Sequence, residues 1–75
     1  MAIRTWVEIA EAAGFDCRQL TAIDVFELGG KIMRDPVVHE RRLAARNGAF
    51  IGDVATAVNS LTPIEKVELR KRITT

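Results

Sequence analysis

One cysteine, one histidine, two prolines, four aromatic residues and no tyrosine occur among 75 residues. A lone Cys17 cannot close an internal disulfide, so a disulfide-stapled secreted scaffold is excluded and a reducing, cytoplasmic setting is expected. His39 has no serine, cysteine or second histidine at helical spacing, so neither acid–base catalysis nor metal binding is expected. No phosphate-binding loop or dinucleotide fingerprint is present, and the expectation is a non-enzyme with no cofactor and no small-molecule substrate. Long apolar runs are missing as well. The longest uncharged run, Val54 to Ile64, has 11 residues, whereas a bilayer span needs about 20. Arg4, Glu8 and Glu11 interrupt the N-terminus, so neither a leader nor a membrane contact is expected.

What is there is a globular composition, 48% apolar and 28% charged. The length suits a single helical domain over residues 1–75, and a domain of this size buries only about 60% of the surface its unfolded chain exposes. Self-association is a common remedy for so small a core. The net charge of +1 conceals an asymmetry. Residues 1–27 carry −3, residues 28–48 carry +3, residues 49–65 carry −2 and residues 66–75 carry +3. The basic charge thus lies in two blocks, Lys31 to Arg46 and Lys66 to Arg72.

The punctuation is helical throughout. Thr5-Trp6-Val7-Glu8 has capping-box spacing, and a first helix follows to about Ala13 with Trp6, Ile9, Ala10 and Ala13 on one face. Gly14 suits the left-handed residue that ends it. Asp16 can cap a second helix anchored by Leu20 and Ile23, which either continues or restarts at Thr21. Helical phase persists through Gly29-Gly30 to about Arg34, and Asp35-Pro36 marks a boundary. A third helix starts at Pro36 and reaches Arg46. It ends at Asn47-Gly48 or runs on into Ile51, Val54, Val58 and Leu61. Gly48-Ala-Phe-Ile-Gly52 has GxxxG spacing, which in a polar chain fits a turn or a close helix crossing. Thr62-Pro63-Ile64-Glu65 starts a last helix to about Ile73. No segment alternates with period two. The expected fold is all-α, four to five short helices in a compact bundle, with a helix-turn-helix hairpin near the N-terminus.

That hairpin carries the most specific functional signal. Between Trp6 and Val25 stand Ile9, the small residue Ala10, then Ala13, Gly14, Phe15, Leu20 and Ile23, a spacing that fits two helices crossing closely across a glycine turn. The run Thr5-Trp-Val-Glu-Ile-Ala-Glu-Ala-Ala-Gly-Phe-Asp-Cys-Arg-Gln-Leu-Thr resembles the N-terminal headpiece of the lac-repressor family, and in size the chain resembles Cro-type phage repressors. The resemblance covers residues 5–25. It implies that a helix from Asp16 to about Val25 lies in the major groove of double-stranded DNA, with Cys17, Arg18, Thr21 and Ala22 facing bases or phosphates. Arg18 is the one of these four able to pair bidentately with guanine. Because Asp16, Asp24 and Glu27 repel phosphates, Arg41, Arg42 and Arg46, together with Lys31 and Arg34, are expected to neutralise them.

Two functions follow. One is a small dimeric helix-turn-helix transcriptional regulator of phage or plasmid type. The other is a non-enzymatic helical adaptor or inhibitor acting through apolar helix faces. The seam Ile51, Val54, Val58 and Leu61 is the expected dimer or partner interface, with the protein's own core as the alternative. Ile64, Val67, Leu69 and Ile73 spread over more than one side of the last helix, which leaves apolar surface for a homodimer or another protein. Val38-His39-Glu40-Arg41-Arg42-Leu43 reads as a phosphate or acidic-partner contact, or as a solvated helix face. Cys17 reads as a small structural thiol or a redox sensor.

Overall fold

A computed structural model of the chain describes residues 3–45 and 51–74. They form an all-α bundle: α1 (Ile3–Ala12), α2 (Ala22–Arg34), α3 (Pro36–Ala45), α4 (Ile51–Asn59) and α5 (Pro63–Thr74), with a 3₁₀ turn at Cys17–Gln19 between the first two. Among the described residues no helix is long and apolar enough to cross a membrane.

The first helix starts by Ile3, so Thr5 lies inside it and does not cap it. Gly14 ends it in the left-handed region, φ 95°. Its last turn is closed from the far end of the sequence: Arg70 NH1 donates to the Ala13 carbonyl at 2.8 Å. That bond satisfies a carbonyl that has no partner inside its own helix.

Between α1 and α2 the expected path changes. Asp16 does act as a cap, accepting from the Arg18 amide at 3.1 Å, but it caps only the 3₁₀ turn. The α-helix begins afresh at Ala22. Thr21 is its N-cap, with a capping box in which the Asp24 amide donates to the Thr21 hydroxyl and the Thr21 amide donates to the Asp24 carboxylate. Restarting at Ala22 resets which residues face inward. Val25, Gly29 and Ile32 are buried, and Ile23, expected as an inward anchor, is 71% exposed.

Gly29 is the tightest point of the α1–α2 contact. A Cβ there would overlap the six-membered ring of Trp6, so only glycine lets the indole pack this closely on α2. Trp6 is buried, its Nε1 has no hydrogen-bond partner among the described residues, and its ring meets Phe26 in a tilted contact with centroids 4.6 Å apart.

Asp35, only 5% exposed, ends α2 and starts α3. One of its oxygens accepts from the Val37 and Val38 amides at 3.1 and 3.3 Å. Arg72 of α5 pairs with both, at 2.8 and 3.0 Å. Burial alone would push this carboxyl up. The Arg72 bonds, the Val38 amide, the Arg72 charge and the Val37 amide together outweigh burial and hold it below its ordinary value of 3.8.

The core runs through all five helices. Ile9, Ile32, Val38, Val54, Val58 and Leu69 are its largest fully enclosed side chains. At α5 the expected capping box is present, Thr62 and Glu65 bonding reciprocally at 3.0 and 3.2 Å.

Candidate functional site

The residues expected to touch DNA are spread over separate elements and are largely engaged within the chain. Cys17 and Arg18 sit on the 3₁₀ turn and not on a groove-entering helix, because the helix begins at Ala22. The Cys17 thiol is half-buried, 3.8 Å from the Val7 carbonyl. Burial pushes its pKa up, helped by the Glu11 and Asp16 charges. A thiol held protonated is a poor nucleophile and a poor redox sensor, so Cys17 has the character of a structural thiol. Arg18 is exposed but folds back onto Asp16, with bonds of 3.1 and 3.2 Å. Those bonds hold the Asp16 carboxyl below its usual range. Thr21 is exposed and spent on the α2 cap, and Ala22 is exposed.

Arg41 leaves α3 for the α4–α5 turn, donating to Ser60 O at 3.2 Å and to both Glu65 oxygens at 3.0 and 2.8 Å. The Thr62 amide, then the Arg41 charge, lower the Glu65 pKa. Arg42 is half-buried, its Nε enclosed without a partner among the described residues. Arg46 lies outside the described residues.

The expected interface is corrected by burial. Val54, Val58 and Leu61 are all buried in the core of the single chain, so they are unavailable to a second molecule. The side chain of Ile51 lies outside the described residues. On α5, Leu69 and Ile73 face inward, while Ile64 and Val67 remain exposed.

Leu43 is exposed as well, but the exposed apolar residues that share one hollow are at the start of α1 and α2. Ile3, Ile23 and Phe26 are 47%, 71% and 56% exposed. With Ala22 and Glu27 they line one shallow hollow. A second hollow adjoins it along α2, lined by Phe26, Glu27, Gly30, Lys31 and Arg34. The exposed stripe of α2 therefore runs from apolar and acidic at its N-terminal half to basic at its C-terminal half.

Sequence reasoning placed Ile23 inward and gave no role to Ile3, Phe26 or Gly30. The signal that could have found them is Thr21-x-x-Asp24, a capping box four residues long that dates the helix start to Ala22 and so sets its phase. Among the described residues no three of histidine, cysteine, aspartate and glutamate gather as a metal site. No protein-family profile, no curated protein and no solved structure matches the chain.

Proposed function

We propose that the protein is a non-enzymatic interaction module that receives a partner helix on the α1–α2 face. The observation that carries this reading is the contiguous patch of Ile3, Ile23 and Phe26, exposed around one hollow. Single exposed apolar residues are ordinary, but a joined set rimmed by charge is the usual mark of a contact surface. Ile23 and Phe26 stand one turn apart, the spacing at which helix-in-groove partners are anchored.

A DNA-binding regulator is the second reading. It draws support from α1 packing on α2 across the left-handed Gly14, with Thr21 and Ala22 exposed at the front of α2. Against it, a groove-entering helix leads with its N-terminal residues. Here those are followed at once by exposed Asp24 and Glu27, which repel phosphate.

Trp6 is the only tryptophan and touches Phe26, so its emission reports on anything covering the patch. The expected result is a saturable shift with an amphipathic helical peptide of mixed charge and none with duplex DNA at low salt. Saturable, salt-sensitive binding of duplex DNA without a peptide response would replace the first reading by the second.

A further inference from the structure

We infer that the helix received on this face is α2 of a second copy, packed antiparallel about a two-fold axis. The inference rests on the docking reading above and adds its occupant. Three observations support it.

The first is charge. The exposed stripe of α2 carries Asp24 and Glu27 in its first half and Lys31 and Arg34 in its second. Asp24 is engaged by the Thr21 cap, and among the described residues Glu27, Lys31 and Arg34 form no ion pair. Two parallel copies would set like charges together. Two antiparallel copies set the acidic half of each against the basic half of the other, which is the self-complementarity an isologous contact demands.

The second is shape. Gly30 floors the hollow lined by Phe26, Glu27, Lys31 and Arg34. A two-fold passing near Leu28 brings Phe26 of each copy over Gly30 of the other, and Glu27 within one turn of the opposing Lys31. Among the described residues nothing requires Gly30 to be glycine. A Cβ there meets only the flexible Arg34 guanidinium, at 3.3 Å, unlike Gly29, whose Cβ would strike Trp6.

The third is continuity. Ile3 and Ile23 extend the apolar surface beyond the end of the Phe26 contact. A 13-residue helix with this margin makes a small interface, so association on the order of tens of micromolar is expected.

Sedimentation equilibrium from about 10 µM to about 1 mM tests the dimer. Glu27→Lys alone and Lys31→Glu alone should each weaken association at least tenfold. Mixing the two variants should restore it, because both 27–31 pairs across the copies are then of opposite sign. No contact within one chain can produce that rescue. Gly30→Ala should weaken dimerisation while leaving the helical circular dichroism intact. A wild-type chain that stays monomeric throughout overturns the inference. So does a dimer unmoved by Phe26→Asp, or single reversals that mixing fails to rescue. If the wild type is monomeric yet Trp6 still answers the amphipathic peptide, the docking reading survives and only the second copy is lost as its occupant.

Discussion

Val54, Val58, Leu61, Leu69 and Ile73 of the α4–α5 half turn inward, whereas Ile3, Ile23 and Phe26 at the start of α1 and α2 face solvent. Arg41 is paired with Glu65 and Arg72 with Asp35, both across elements, while among the described residues Glu27, Lys31 and Arg34 along α2 form no ion pair. The α4–α5 half closes on the core through its five inward residues, with Ile64 and Val67 left outward, and the α1–α2 half leaves a patch gathered around one hollow. Sequence patterning left the C-terminal seam open between contact and core, and gave packing to Ile23. Periodicity identifies which residues share a helix face, but two helices with similar faces compete for one core. In so small a chain only one of them wins it entirely.

The contrast is broken most severely by a charge in the closed half. Val58→Asp buries an unpaired carboxylate, an effect above about 4 kcal/mol that approaches the whole stability of a domain this size. Its circular dichroism should be that of an unfolded chain. Gly29→Ala comes next, at about 3 kcal/mol, because backbone and indole ring cannot both keep their places. A lowered urea midpoint and a changed Trp6 emission are expected.

Asp35→Ala removes a helix cap and a bidentate partner of Arg72. Arg72 keeps 39% of its side chain in solvent, so the cost is about 2 kcal/mol and not that of a fully buried pair. The same carboxylate sets an acid limit. Its folded pKa lies below the ordinary 3.8, so the unfolded chain takes up its proton first as pH falls. The stabilisation is complete above about pH 4 and is lost as pH drops through the lowered folded value. Urea midpoints measured downward from neutral pH should fall in the wild type, and fall less in Asp35→Asn.

The smallest effect on stability belongs to the open half. Ile23→Asp should leave the urea midpoint within about 0.5 kcal/mol of wild type, while abolishing the Trp6 response to a helical partner. A large loss of stability from Ile23→Asp would place that residue in the core and end the comparison.

Local signals in the chain were legible and long-range ones were not. Asp35-Pro36 and Thr62-Pro63-Ile64-Glu65 marked the starts of α3 and α5 because a cap is made by neighbours. Gly14 likewise announced its own left-handed turn. The start of α2 was ambiguous because Asp16 and Thr21 are both good caps, and the first belongs only to a short 3₁₀ turn. The pairs Arg72–Asp35, Arg41–Glu65 and Arg70–Ala13 join residues 37, 24 and 57 apart. Nothing in their local sequence marks them. The candidate surface was hidden for the related reason that exposure depends on what the rest of the chain does not cover.

The bond from Arg70 to the Ala13 carbonyl ties the last helix to the end of the first, and so makes a long circuit of the chain. The two sequence-remote ends are then expected to open together and not as independent fraying tips. Amide hydrogen exchange at Ala13 and Gly14, whose N–H groups bond back to Ile9, Ala10 and Glu11, becomes a gauge of whether α5 is docked. Arg70→Ala, which keeps α5 but cuts the tie, should speed exchange at those two amides before it alters any elsewhere in α1.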